Sequence, residues 1–405
     1  PYPQTYASFG SAVSGIGDIN GDTVPDIAIG ATHQRMQQGQ VFVFSGANGS
    51  LLYAINNPYP TQIAIFGKAI SGGGDLNGDA RPDFVVGGYG IWNRWAGKLM
   101  VFSGKDGSLL YAKDDPNPVS GSFGDDVEMI GDVDGDSVAD ILVGAWEHEM
   151  AGQAFVYSGA SGTLLYTLNH PNHTGGFYSF GRGLEGIGDI SGDNIPDLVV
   201  GVATDDGADE MQGRAFVFSG ADGSLLFPLE NPEPKQEGLL GFSIADIGDY
   251  NGDRLSDIAV TALGNERTYI FSGADGSALA SVGGGWQVIN VGDITGDGYP
   301  DIATSNETTR RVALYSLHGD VPYKNLLRNP SYENGTVPWK FWTDGEATFT
   351  TESPGYIGDY AARIDIIEPG DNVQLYQKGF PLKAASYYRL EFAARSATGH
   401  DVALY

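Results

Sequence analysis

Apolar and polar residues alternate along most of this chain in short runs separated by Gly, Asp, Asn and Pro. In the first unit one run opens at Phe9-Gly10 and extends to Ile19. A second covers Asp26–Ala31, a third Gln40–Ser45 and a fourth Ser50–Ile55. Period-two alternation rich in Val, Ile, Phe and Tyr predicts strands. Ala47-Asn48-Gly49 lies between the third and fourth runs, and a turn of this kind between two alternating runs predicts a hairpin. It recurs at Lys105-Asp106-Gly107, Ala160-Ser161-Gly162, Ala221-Asp222-Gly223 and Ala274-Asp275-Gly276. Four antiparallel strands per repeated unit form the blade of a β-propeller. In such a meander turns 1–2 and 3–4 share one face, and turns 2–3 and 4–1 share the other.

Between the first and second runs of each unit lies a loop whose third copy is Asp132-Val133-Asp134-Gly135-Asp136-Ser137-Val138-Ala139-Asp140. Carboxylates at positions 1, 3, 5 and 9 repel one another at neutral pH. A hard divalent cation that takes six to eight oxygens explains the cluster better than a merely solvated turn does. Gly135 lets the loop wrap tightly, and the carbonyl at position 7, here Val138, can add a ligand. The other copies at positions 1, 3, 5, 7 and 9 run in order. They are Asp18, Asn20, Asp22, Val24 and Asp26, then Asp75, Asn77, Asp79, Arg81 and Asp83. Next come Asp189, Ser191, Asp193, Ile195 and Asp197, then Asp249, Asn251, Asp253, Leu255 and Asp257, and last Asp293, Thr295, Asp297, Tyr299 and Asp301. Their first aspartates are 57, 57, 57, 60 and 44 residues apart, the signature of a solenoid, propeller or array. An EF-hand or dockerin loop needs an acidic residue at position 12. That position is Ile29, Val86, Val143, Val200, Val260 or Thr304 here, so calcium in β-hairpin loops, about one ion in each of six repeats, is the expectation.

Composition narrows the field. The chain has 405 residues, room for one large array and a smaller domain. Its 60 glycines and 41% hydrophobic content suit many short strands joined by tight turns. A formal charge of −29 argues against a nucleic-acid partner, and much of it sits in the metal loops. Absence of cysteine excludes disulfides and thiolate metal sites. No apolar run is long enough to span a membrane. Loops of this kind fill at extracellular calcium levels, so a secreted or cell-surface location is expected.

On these residues the first part of the chain resembles the FG-GAP repeat family, the propeller type of integrin α-subunits and many secreted bacterial proteins. Phe-Gly opens units at Phe9, Phe66, Phe123 and Phe180; the fifth has Leu240-Gly241 and the sixth Gly284-Gly285-Trp286. Glycine after the second run, as at Gly30, Gly87 and Gly144, matches too. The resemblance implies Ca²⁺ as the metal and seven blades as the usual count. Six units are visible. Pro1-Tyr2-Pro3 aligns with Pro58-Tyr59-Pro60, which follows a fourth strand, so an upstream strand is expected. The complete propeller would then hold six or seven blades.

The pattern changes after His318, which sets domains at 1–319 and 320–405. Asn325-Leu326-Leu327, Asn329-Pro330-Ser331-Tyr332-Glu333, Val373–Gln377 and Tyr387–Arg395 resemble carbohydrate-binding modules of families 4 and 9. That resemblance implies an all-β jelly-roll sandwich, of which this would be the N-terminal part. Its strands are expected at Trp339–Thr351, Ala361–Ile367, Val373–Gly379 and Tyr387–Ala394.

No nucleophile elbow, zinc-protease helix or phosphate loop is present, so no catalytic residue is assigned. Ligand contacts are expected on the face opposite the calcium loops, at Trp92, Arg94, Trp95, Trp146 and His148; the loop histidines His148, His170 and His173 are otherwise expected to be solvated. In the second domain the resemblance points to Trp342, Tyr376 and Gln377. The composite expectation is a non-enzymatic, calcium-stabilised adhesion or recognition scaffold with a glycan-binding module. It would be a monomeric propeller within a larger multidomain chain, with a glycan or an extracellular protein as partner. The alternative is the non-catalytic part of a larger extracellular polysaccharide-degrading enzyme.

Overall fold

The structure, a computed structural model, describes residues 8–317 apart from 34–37, 61–64, 90–96, 118–121, 173–177, 206–210, 297–298 and 307–310. Beyond 317 it describes the backbone of 340–343, 346–352, 361–368 and 373–376. The chain divides into two compact units, Pro1–Gly319 and Asp320–Tyr405.

The first unit is a β-propeller of six blades. Blade 1 is β1 (Phe9–Gly15), β2 (Ile27–Ala31), β3 (Gln40–Phe44) and β4 (Leu51–Asn56). Blade 2 is β5 (Ile65–Gly74), β6 (Asp83–Tyr89), β7 (Lys98–Phe102) and β8 (Leu109–Asp114). Blade 3 is β9 (Val127–Ile130), β10 (Asp140–Ala145), β11 (Gln153–Tyr157) and β12 (Leu164–Asn169). Blade 4 is β13 (Phe180–Ile187), β14 (Asp197–Val202), β15 (Arg214–Phe218) and β16 (Leu225–Glu230). Blade 5 is β17 (Leu240–Asp246), β18 (Ile258–Ala262), β19 (Arg267–Phe271) and β20 (Ala278–Gly283). Blade 6 is β21 (Gln287–Gly292), β22 (Asp301–Asn306) and β23 (Arg311–Ser316), three strands among the described residues, as its sequence leads one to expect. Each sheet is an antiparallel meander in chain order.

The core lies between blades. Five apolar clusters fill the five junctions of consecutive blades; the one between blades 1 and 2, for example, joins Ile16, Ala28 and Val43 to Phe66, Phe84 and Met100. Phe66, Phe123 and Phe180 are fully buried, each stabilising the fold by about 1.5–3 kcal/mol. The glycine after each of these phenylalanines faces the glycine of the preceding blade's second strand. A Cβ on Gly30, Gly87, Gly144 or Gly201 would stand about 2 Å from the carbonyl oxygen of Gly67, Gly124, Gly181 or Gly241. Backbone meets backbone there, so no side chain fits. The end blades differ: Phe9 and Val13 on β1, and Val312 and Leu314 on β23, are 51–73% exposed.

The first strands run beside one another from blade to blade and the fourth strands lie outermost. In blades 1, 2, 4 and 5 the pairing of first and second strands slips at the Phe-Gly or Leu-Gly step. Gly10, Gly67, Gly181 and Gly241 take φ of +82° to +95° at this bulge, which re-aims the residues that follow.

In the second unit, β24 (Lys340–Thr343) pairs with β27 (Val373–Tyr376), and β25 (Glu346–Glu352) with β26 (Ala361–Glu368), all antiparallel. The single strand expected over Trp339–Thr351 is two among the described residues, Lys340–Thr343 and Glu346–Glu352, in different sheets. The expected strand Tyr387–Ala394 lies outside the described residues.

The glycine contact gives a first prediction. Gly144→Ala should cost roughly 1–3 kcal/mol of stability. Gly15→Ala, whose Cβ would meet nothing within 4 Å, should stay within about 0.5 kcal/mol of the parent. Denaturant melts of the two variants check this, and equal losses would refute it.

Candidate functional site

Each aspartate loop joins the first and second strands of its blade. In blade 3, carboxylate oxygens of Asp132, Asp134 and Asp136 lie within 4.8 Å of one another. This all-oxygen set fits a hard divalent cation. The position-1 carboxylate organises the turn. Asp132 Oδ1 accepts from the backbone N–H of Gly135 (2.7 Å) and Asp136 (3.2 Å), and Oδ2 from Ser137 (2.7 Å). Asp18, Asp75, Asp189 and Asp249 cap their loops the same way. Burial would raise the Asp18 carboxyl, but the N–H groups of Thr23, Gly21 and Asp22 outweigh it and hold it low, with help from the Arg81 guanidinium of the next blade's loop. Asp297 lies outside the described residues.

Position 9 has a second role that the motif does not announce. Asp26, Asp83, Asp140, Asp197, Asp257 and Asp301 are buried at 0–1% exposure. Asp140 Oδ2 accepts from the N–H of Val133 (2.8 Å) and Asp134 (3.2 Å), while Oδ1 accepts from Gly159 (2.9 Å), just past β11. Gly46, Gly104, Gly220 and Gly273 donate to their own blade's ninth aspartate likewise. The carboxylate thus ties the loop to the turn between strands three and four. It also shows that the aspartate loops and Asp-Gly turns share a face. Burial pushes Asp140 up to about 6, against these N–H donors, and the neighbouring Asp134 adds to the rise. Asp83 and Asp257 are raised for the same first reason. Position 12 falls on the second strands, with no helix beside it, which excludes an EF-hand.

On the opposite face, Trp146 is half-buried, and its Nε1 donates to Asp125 Oδ2 at 3.1 Å. His148 is not on the ligand-facing surface. It is fully buried in a short 3-10 turn, Nε2 3.0 Å from Asp115 Oδ2 and Nδ1 3.1 Å from Gln153 Oε1. His170 is buried too, with Nε2 3.0 Å from Asp205 Oδ2 and Nδ1 accepting from Asn172 N–H. Each histidine–aspartate pair links the end of one blade's fourth strand to the next blade's 2–3 loop. Burial between sheets, not solvation, explains these histidines. Trp92, Arg94, Trp95, His173 and Gln377 lie outside the described residues, and for Trp342 on β24 and Tyr376 on β27 only the backbone is described.

The first strands also bring together carboxyls that are far apart in sequence. Asp126, Glu128 and Glu185 gather on the inner strands of blades 3 and 4. Burial, with repulsion from Asp125, pushes Asp126 up to about 7; burial and Asp126 push Glu128 to about 8; burial and Glu128 hold Glu185 well above the usual range. Only the fold reveals this cluster, because each residue comes singly from its own repeat.

Comparisons with known proteins agree with this architecture. Residues 9–44 match the family described as FG-GAP repeat, and residues 324–405 match a carbohydrate binding domain. Integrin alpha-3 of Cricetulus griseus is 34% identical over 187 residues, 43% of this chain and 17% of the integrin. Integrin alpha-V of Gallus gallus is 27% identical over 262 residues, 61% of this chain and 24% of the integrin. The matched segments thus cover less than a quarter of these relatives' own length. Both resemblances drawn from the sequence are borne out: the chain carries an FG-GAP repeat and a carbohydrate-binding domain.

Two predictions follow from the geometry. Asp140→Ala strands three backbone donors and should cost about 3 kcal/mol or more with or without divalent cation. Asp132→Ala should instead lose mainly the cation-dependent part of its stability; melts in chelator and in calcium separate the two. The second concerns pH. Glu128 has a folded-state pKa above its unfolded value, so its contribution is present below about pH 4.5 and is lost as pH rises through about 8. Glu128→Gln should therefore melt higher than the parent at pH 8.5, with the gap closing by pH 5, both in millimolar calcium. A gap independent of pH would refute it.

Proposed function

We propose that the chain is a secreted, calcium-stabilised recognition scaffold. Its propeller binds about six Ca²⁺, one in each aspartate loop, through positions 1, 3, 5 and 9 and the carbonyl at position 7. Residues 320–405 act as a glycan-binding module of jelly-roll type. The observation that carries this reading is the repetition: one oxygen-rich loop, capped in the same way, recurs in blade after blade beside a matched carbohydrate binding domain. The partner is a glycan or an extracellular protein, met on the face opposite the loops, where the 2–3 segments differ in every blade. Millimolar extracellular calcium suits the location. The carbohydrate binding domain also favours a second reading, a non-catalytic part of a larger extracellular enzyme acting on polysaccharide.

Calcium should be structural, because removing it leaves carboxylates facing one another around buried aspartates. At a hundredfold excess over Kd, one filled loop adds about 2.7 kcal/mol, so six should move the melting temperature by ~10 °C or more between excess EDTA and millimolar Ca²⁺. An unchanged melt would sink the metal assignment. Glycan binding without product release supports the scaffold reading; release of shortened sugars would overturn it.

A further inference from the structure

The residue just after each Phe-Gly, or its counterpart, is different in every blade: Ser11, Lys68, Asp125, Arg182, Phe242 and Trp286. All six come at the start of the innermost strands, at the end that carries the 2–3 loops. Four follow the bulged glycine directly. Their side chains form a band across consecutive blades. Lys68 Nζ lies 3.7 Å from Asp125 Oδ1, and Asp125 Oδ2 holds Trp146 Nε1 at 3.1 Å. The Arg182 guanidinium lies 5.1 Å from the Trp146 ring and 4.8 Å from the Phe242 ring. Phe242 and Trp286 follow with ring centroids 5.1 Å apart.

The band is unevenly satisfied. Asp125 is committed to Lys68 and Trp146. Arg182 is not: its guanidinium lies against two aromatic rings, yet among the described residues no acceptor hydrogen-bonds to it. Contact of a guanidinium with aromatic rings uses none of its N–H donors. A free planar edge is the geometry that takes a carboxylate at two points. Trp286, at the far side of Phe242, is half-buried, and its Nε1 has no partner among the described residues; an indole of this kind suits the apolar face of a sugar. Glu147 is an anion within electrostatic reach of Arg182. Burial and Asp125 push its carboxyl up, Arg182 acts against that rise, and among the described residues the two form no ion pair.

We propose that this axial mouth binds a uronic-acid polysaccharide, with Arg182 gripping the carboxylate and Trp286 stacking on the sugar ring. The proposal deepens the glycan reading above and rests on it. A sugar acid is favoured over an acidic peptide because the same chain carries a carbohydrate binding domain.

The test uses the whole 405-residue chain in millimolar Ca²⁺, with trigalacturonic acid as probe and its methyl ester as the uncharged control. Calorimetry and tryptophan fluorescence should show the acid bound roughly tenfold or more tighter than the ester. Arg182→Met should erase that preference. Arg182→Lys, which keeps the charge without the fork, should restore it only in part. Trp286→Ala should weaken acid and ester alike. The parent's calcium-dependent melt serves as the folding check for each variant. Equal binding of acid and ester, or a folded Arg182→Met that still prefers the acid, overturns the proposal. So does an Arg182-dependent response to a poly-glutamate peptide but not to the uronate. If neutral glycans bind and Arg182 has no influence, the axial site alone fails. If no glycan of any kind binds, the function proposed above fails with it.

Discussion

A buried carboxylate organises each blade. The ninth aspartate of every loop sits at the bottom of the blade with essentially no exposure and accepts N–H groups from its own loop. In blades 1 to 5 it also accepts from the glycine just past the third strand. Burying an ionised group is costly unless it is fully hydrogen-bonded or paired. The loop backbone supplies the first condition and the loop's remaining carboxylates invite a cation for the second. Local turn and strand pairing are therefore one problem with one solution, repeated.

Stacking the blades imposes a second constraint. Each junction is an apolar cluster, but the closest approach is backbone on backbone, as at Gly144 and Gly181. Three fourth-strand tyrosines reinforce it: Tyr53, Tyr111 and Tyr166 donate their hydroxyls to the carbonyls of Gly104, Gly159 and Gly220 in the following blade. The same glycine that donates to its own aspartate accepts from the neighbour's tyrosine, so aspartate loop and blade junction are coupled through one residue.

Uniform parts hold the fold and variable ones face outward at the other end. There the residue after the Phe-Gly step, or its counterpart, comes once per blade at the start of the innermost strand. The six together make a surface of cations, anions and rings that no single repeat contains. The buried histidine–aspartate pairs lie on the same side but inside the junctions, where they clasp neighbouring blades.

Much of this was legible in the sequence. Period-two runs, Asp-Gly turns and six in-phase loops are local, short-range patterns, and local hydrogen bonding dictates them, so strands, blades and aspartate loops could be read directly. The ninth aspartate's tie to Gly159 could not, because the two meet only when the strands pair. Nor could the fate of His148, which looks like an exposed loop residue until Asp115 of the preceding blade closes over it. Glu128 and Glu185, 57 residues apart, perturb each other only because neighbouring inner strands pack side by side. Arg182 reads as one polar residue after a Phe-Gly pair. Only the stacking of blades 3 to 5 sets it between Trp146 and Phe242, since the rings that hold it come from different repeats. The sequence determined each unit through contacts within a few residues; the tertiary structure alone decided what the units do together, through contacts a whole repeat apart.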